Sequence, residues 1–233
     1  MISIIIPVLN EIESIEQLLV HITETTSERH ITEILIVDGG SSDGTQEAVL
    51  RFSENTTMPV KLIPSEKGRA KQMNLGAKFA KGSTYYFLHA DSFPPQNFDQ
   101  LILSEIAKGN KAGCFRMKFD SSHPLLRFSQ WFTRFNFKFC RGGDQSLFVS
   151  KELFTELNGF NEKYIIYEDC EFINRIYDHY SFSIIPKYII TSARKYKHIG
   201  MWKLQFLFTV IHLKHRMGNK PETLYRYYNK HVY

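Results

Sequence analysis

ILIVDGGSSDGTQEAVLRF, residues 34–52, is the stretch on which the fold turns. It opens with an unbroken apolar run ending in an acid, passes through glycine, serine and aspartate, and then resumes apolar residues at helical spacing. Unbroken runs of this kind fit a strand covered on both faces, whereas a strand with one wet face alternates. Glycine, serine and aspartate supply the turn. Asp43, with Gln46 three residues later, has the spacing of a helix-capping pair. The segment reads as strand, tight loop and helix.

The same unit recurs on both sides. SIIIPVLN (3–10) leads to Asn10 and Glu13 at capping spacing. VKLIPS (60–65) leads to KGRAKQMNLGAKFAKG (67–82), with a stripe of Ala70, Met73, Ala77 and Ala80 closed by Gly82. YYFLHAD (85–91) leads to Pro94, Pro95 and a face of Phe98, Leu101, Ile102 and Ile106 closed by Gly109. Four rounds of strand and helix predict an α/β layer with a mostly parallel central sheet flanked by helices. Its ligand crevice should lie beyond the carboxyl ends of the strands.

Past residue 110 the pattern changes. FRMKFD (115–120) alternates, which predicts a half-buried strand in a small antiparallel part. QSLFVS (145–150) predicts a short strand, KELFTELNG (151–159) a short helix, and EDCEFINRIYDHY (168–180) a longer helix with acids in its first turn. We expect one domain over 1–233, made of an alternating half (1–110), a mixed half (111–193) and a basic amphipathic helical tail (194–233).

Composition narrows the class. With 43% hydrophobic and 23% charged residues among 233, the chain has an ordinary globular make-up and should bury a large core. Its three cysteines, Cys114, Cys140 and Cys170, form no CxxC pair, which argues against a zinc site or a disulfide framework and for a reducing compartment. The first apolar run breaks at Pro7 and meets Glu11, so no secretory signal is expected. A cytoplasmic protein is the expectation, either free or at the inner face of the membrane. Charge is uneven: residues 1–110 hold 9 basic against 14 acidic side chains, and residues 111–233 hold 20 against 10. That cationic half invites an anionic surface or a phosphate-bearing substrate.

Three loops follow strand ends, PVLNE, DGGSSDGT and HADS, and each carries an acid. Residues i and i+2 of a strand share a side, so His89 and Asp91 are expected to face the crevice together. Glu11, Asp38 and Asp43 also suit plain turn and cap roles. Neither GxGxxG nor GxxxxGK[ST] is present, which excludes the dinucleotide fingerprint and the P-loop.

Taken in order, SIIIPVLNE, IVDGGSSDGT, EKGRAKQMNLGAKFAKG, FLHADS, GGDQSLFVS and GFNEKYIIYEDCEF resemble family 2 glycosyltransferases of the GT-A fold, in the small bacterial-type subgroup with a GDQ segment and an SARKY-like tail. The resemblance implies a transferase that takes a sugar from a nucleoside diphosphate sugar, with a divalent metal, Mn2+ or Mg2+. It implies that Pro7, Val8 and Glu11 line the pocket for base and ribose, that Asp38 binds the base, and that Gly68, Arg69 and Asn74 sit beside the nucleotide. Asp91 matches the last acid of the family's DxD, the residue that holds the metal. His89 stands where the first acid usually does. Asp169 matches the catalytic base of the ED motif. Asp144, Gln145 and Glu168 fall on the acceptor side.

Each assignment has a physical rationale. Magnesium binds through one or two carboxylates plus substrate phosphates, so one aspartate suffices when a diphosphate completes the shell. Manganese also accepts imidazole. Inverting transfer needs a base within reach of the acceptor hydroxyl, and a helix N-terminus favours the charged form of Glu168 and Asp169. HPLLRFSQWFTRFNFKFCR (123–141) interleaves aromatic and basic residues, a pattern that also suits single-stranded nucleic acid. We read it as an acceptor-side helix whose aromatics pack or touch lipid, with no nucleic-acid partner. The tail segment 201–218 falls short of the ~20 apolar residues that span a bilayer. It fits either an interfacial helix, with Lys203, Lys214 and Arg216 at headgroup level, or a helix packed on the domain or on a second subunit. The acceptor is expected to be a sugar or lipid-linked. The rival readings are a nucleotidyltransferase, which needs a glycine-rich basic loop where PVLNE stands, and a binding module without turnover.

Overall fold

The structure, a computed structural model, describes residues 1–232. Strand β1 (Ile2–Val8) is buried at every position because it lies between two parallel neighbours, β2 (Ile31–Asp38) and β4 (Thr84–Phe87). Both its faces are covered, which is why its sequence carries no alternation. Ile2, Ile4, Ile6 and Val8 pack on one side with Ile15, Leu18, Leu19 and Ile22 of α1 (Ile12–Thr25). Ile5 packs on the other with Leu35, Val37 and the Ala70, Met73 and Ala77 stripe of α3 (Arg69–Phe79). Each such aliphatic side chain contributes roughly 1.5–3 kcal/mol on burial.

The sheet has eight strands in the order β3-β2-β1-β4-β7-β6-β8-β5. Strand β3 (Val60–Pro64) follows α2 (Thr45–Glu54) and pairs parallel with β2. The four predicted strand-helix rounds are present, ending with α4 (Phe98–Ala107), after which Gly109 turns at φ 89. Gly82, read as a helix end, plays another part: α3 stops at Phe79, and a Cβ on Gly82 would lie 2.7 Å from the Ser3 amide nitrogen.

The antiparallel part is real but differs in detail. Strand β7 (Leu147–Ser150) runs antiparallel to both β4 and β6 (Ala112–Phe119), and the two-residue β5 (Ser92–Phe93) is antiparallel to β8 (Ser183–Thr191). Strand β6 makes its long pairing parallel to β8. The chain between them, with α6 (Lys151–Glu156) and α7 (Glu168–His179), supplies the crossover that a parallel pair needs. The run that forms β8 contains Pro186, which normally demotes a strand, and the register slips between Phe115 and Arg116, opposite that proline.

The aromatic segment 123–141 is helical only over α5 (Pro124–Trp131), after which two 3-10 turns carry it to Cys140. The tail folds into α8 (Arg194–Ile199), α9 (Met201–Arg216) and α10 (Pro221–Val232). Pro221 stands at the first helical position, where its missing N–H costs nothing.

One close approach in the sheet is testable. A Cβ on Gly113 would lie 2.4 Å from the Ser183 carbonyl oxygen and 2.5 Å from the Phe148 ring. Gly113→Ala should lower stability by about 1–3 kcal/mol, the usual cost of overpacking. Urea unfolding monitored by tryptophan fluorescence checks this, and an unchanged midpoint would contradict the packing described.

Candidate functional site

The first two loops are laced to each other. Asn10 turns at φ 56; its N–H donates to Ser41 Oγ at 2.8 Å, and its Oδ1 accepts from the Ser42 amide at 2.9 Å. The Glu11 amide donates to Thr45 Oγ1 at 2.9 Å, and the Ile12 amide to Asp43 Oδ2 at 3.1 Å. Helix α1 is thus capped from the neighbouring loop by Asp43, and the Asn10–Glu13 box does not form. Asp38 is buried and accepts from the amides of Gly40 and Ser41, from Ser41 Oγ and from Gln46 Nε2 at 2.6 Å. Gln46 therefore holds Asp38 and does not complete a cap.

Pro7 and Val8 are buried at the end of β1. The Val8 carbonyl accepts from the Gly39 amide and, together with the Val37 carbonyl, from Gln72 Nε2 at 2.8 and 2.7 Å. This buried glutamine of α3 staples the ends of β1 and β2, and the sequence gives no sign of it, because a lone Gln in an alanine-rich stripe carries no signal. Gly68, at φ 139, precedes α3 and sets Arg69 at its start. Asn74 is committed elsewhere: its side-chain amide bonds the Phe160 carbonyl, the Phe160 amide and Glu162, each at 2.9 Å.

Beyond β4 lies a cavity of about 920 Å³, lined among others by Arg69, His89, Asp91, Asp144, Gln145, Glu168 and Asp169. Pro7, Val8, Glu11, Asp38, Gly68 and Asn74 do not line it. The strand argument for His89 and Asp91 fails in detail, since β4 ends at Phe87 and both residues sit in the turn after it. They reach the same cavity nonetheless.

His89 is the hub of the polar floor. Its Nδ1 lies 3.4 Å from Asp144 Oδ1 and its Nε2 3.5 Å from Asp169 Oδ2. Burial pushes the imidazole towards neutrality, but the two carboxylates outweigh it and lift its pKa to about 10. Asp144 is held below the usual carboxylate range: burial works against this, and His89 and Arg69 overcome it. Asp91 is pushed up by burial, with His89 opposing and the like charges of Asp144 and Glu11 adding to the rise. Glu168 is also pushed up by burial, although Arg69 Nε lies 3.0 Å from its Oε1.

The GGDQ turn makes this cluster sterically feasible. A Cβ on Gly143 would lie 2.0 Å from Asp169 Oδ2 and 2.8 Å from the His89 ring, whereas one on Gly142 would meet nothing. Gln145 is buried and donates to the Cys140 carbonyl at 2.6 Å while accepting from Arg141. Arg141 in turn bonds the carbonyls of Thr133 and Phe135. The pair ties the aromatic segment under the cavity.

Sequence reading missed the cavity's tail wall. Lys195, Tyr196 and Tyr228 line it, with Lys195 Nζ 5.0 Å from the centre of the Tyr228 ring. Arg194 reaches back to Glu11 Oε2 at 2.9 Å and Glu13 Oε2 at 3.2 Å. The SARKY stretch is visible as a basic run, but nothing in its spacing says which loop it meets.

Among the described residues no three His, Cys, Asp or Glu side chains converge as a self-contained metal cage. The donor set fits a hard cation bound with substrate phosphate, since the Asp91 carboxylate is largely buried, destabilised as an anion and without an ion-pair partner among the described residues.

The chain matches the model of Glycosyl transferase family 2 over residues 3–182. It is 33% identical over 107 residues to Glycosyltransferase AglE of Haloferax volcanii, covering 46% of this chain and 35% of that protein. It is 34% identical over 118 residues to a dolichol-phosphate mannosyltransferase of Pyrococcus furiosus, covering 47% and 33%. The chain therefore spans about a third of the length of these relatives. Among solved structures it resembles the mannosyltransferase PcManGT of Pyrobaculum calidifontis in complex with GDP-Man and Mn2+, with TM-score 0.74 and 19% identity over 94% of this chain and 64% of that one. It also resembles Staphylococcus aureus TarS in complex with UDP-GlcNAc, with TM-score 0.66 and 18% identity over 82% and 58%. The sheet order, the ordered motifs and the matched span agree: this chain belongs to glycosyl transferase family 2 and has the GT-A fold.

Proposed function

We propose that the protein is an inverting glycosyltransferase that moves a sugar from a nucleoside diphosphate sugar to a hydroxyl or phosphate of a sugar or lipid-linked acceptor. The observation that carries this reading is the shared cavity, in which Asp91 and Asp169 both open to one space with His89 against Asp169. The nucleotide sugars and the manganese named with PcManGT and TarS support it.

In this reading Pro7, Val8, Glu11 and Asp38 form the base-and-ribose side, held by the two laced loops, with Gly68 and Asn74 shaping the start and outer face of α3. Asp91 would hold the divalent ion, Mn2+ or Mg2+, which when bound offsets the charge gathering on the departing diphosphate. Arg69, with its guanidinium at the same cavity wall, adds fixed positive charge there. Asp169 takes the proton of the acceptor hydroxyl as the new bond forms. His89 keeps its Nε2 proton directed at Asp169 and so orients the base. Glu168 and Asp144 hold Arg69 and His89 in place from the acceptor side.

The nucleotidyltransferase reading has no support in the PVLNE loop, which makes a hydrogen-bonded lacing instead of a glycine-rich phosphate cradle.

Three outcomes are expected. Asp169→Asn should lower transfer roughly a hundredfold or more, the usual worth of a general base, while calorimetric donor affinity stays at the wild-type value; undiminished turnover would remove Asp169 from the reaction. Gly143→Ala should reproduce that split, because its methyl group displaces the Asp169 carboxylate; a variant with normal turnover would show that the close contact has no catalytic role. In thermal melts with a panel of UDP, GDP and TDP sugars, wild type should gain Tm only when donor and Mn2+ are both present. Asp91→Asn should lose that gain, and a manganese-dependent gain in the variant equal to wild type would exclude Asp91 as the ligand.

A further inference from the structure

Helix α9 is apolar on two faces. Leu204, Leu207 and Ile211 are buried in the core, as an amphipathic helix requires. Trp202, Phe206, Leu213 and Met217 recur at helical spacing on the opposite side and are 73%, 67%, 55% and 80% exposed. Leu213 belongs both to this outward stripe and to the wall of the 920 Å³ cavity. Phe128, Phe139 and Ile165 are likewise exposed while lining the cavity. The stripe and the cavity mouth are therefore one continuous apolar surface, and a surface of this kind marks an interaction site.

Charge identifies the occupant. Helix α9 contains no acid, and Lys203, Lys214 and Arg216 flank its stripe. The segment 123–141 has no acid either, and its Arg127 and Arg134 are exposed beside the aromatic rim. Apolar side chains bordered by basic ones, on a helix lying along the surface, are the pattern of a helix in the plane of an anionic bilayer. None of the described helices is long and apolar enough to cross a membrane. At 16 residues α9 is about 24 Å long, short of the ~30 Å hydrocarbon core.

We infer that the rim of the cavity and the outward stripe of α9 together form a docking surface for an anionic lipid bilayer, so that the cavity opens onto the membrane and its acceptor is an amphiphile drawn from it. The apolar inner walls, Met117, Phe119, Phe132, Ile166, Phe208 and Ile211, continue that surface down to the polar floor. This inference rests on the glycosyl-transfer reading for what the cavity does, but docking can be tested without turnover.

The test is co-sedimentation of the purified chain with phosphatidylcholine vesicles, with and without phosphatidylglycerol, at low and high salt. Wild type should sediment with the anionic vesicles and less so in high salt. Trp202→Ser combined with Phe206→Ser should reduce partition by about tenfold or more, since bound apolar area and charge set the strength of interfacial binding. Lys203→Glu with Arg216→Glu should remove the preference for anionic lipid. Leu50→Ser, at an exposed leucine of α2, should change nothing. Wild type that stays in solution, or a Trp202/Phe206 variant that binds as wild type does, would overturn the proposal. So would light scattering that shows a dimer dissolved by the same variant, because the surface would then belong to a second copy. Donor titration of these proteins separates the two readings: intact donor binding with failed docking overturns only the membrane surface.

Discussion

Ion-paired contacts around Arg69 and His89 hold the polar floor of the cavity together, and the proposed chemistry depends on them. Arg69 begins α3, in the alternating half of the chain, and Glu168 begins α7, in the mixed half; their side chains meet at 3.0 Å. His89, after β4, meets Asp144 of the GGDQ turn and Asp169 of α7. A buried charge lacking a partner is far costlier than a paired one, so the buried Glu168, His89 and Asp169 depend on their partners, while Arg69 and Asp144 reach in from the half-exposed cavity wall. The cluster brings together two helix starts and two loops that are separate in sequence.

Its electrostatics follow from that closure. The two carboxylates outweigh burial at His89 and favour its protonated form, and His89 and Arg69 in turn favour the ionised form of the half-exposed Asp144. Asp91 is the member left over: burial and like charges raise its pKa, and no cationic side chain reaches it at ion-pair distance among the described residues. A carboxylate in that condition gains most from a bound cation. Glu168 is also raised by burial and neither of its oxygens is hydrogen-bonded among the described residues, but it has Arg69 at 3.0 Å; Asp91 has no such partner, and that is where the family resemblance puts the metal.

Much of this was legible in the chain. The buried strands were readable because a short apolar run without alternation, closed by turn residues, suits a strand with both faces covered and little else. Among the cavity acids, Asp91 was readable because it closes such a run; Asp144 lies in a glycine turn and Glu168 and Asp169 open a helix, and it was the family resemblance that singled these three out. Capping was misread. Asn10 and Gln46 have the right chemistry for local caps, but Asp43 in the second loop takes the Ile12 amide at the start of α1, a contact that exists only once the two strands are parallel neighbours, and Gln46 donates to Asp38. Strand β8 was hidden by Pro186, whose cost is absorbed by a register shift that only the pairing reveals. Arg194 and Lys195 were visible as charge; their partners, Glu11 and the Tyr228 ring, lie 183 and 33 residues away in sequence. Long-range pairing of this kind leaves no periodic trace.

At the centre of the proposed chemistry, a carboxylate in the turn after the fourth strand grips a cation on the donor diphosphate, opposite a base held by histidine. A crystal of the chain grown with Mn2+ and a bound donor, with anomalous scattering used to locate the metal, tests it most directly. Manganese is expected at about 2.1 Å from an Asp91 oxygen, the distance at which small hard cations meet carboxylates, with diphosphate oxygens completing the shell and Asp169 facing the anomeric carbon. Manganese elsewhere, or a bound donor whose diphosphate lies away from Asp91, would contradict it.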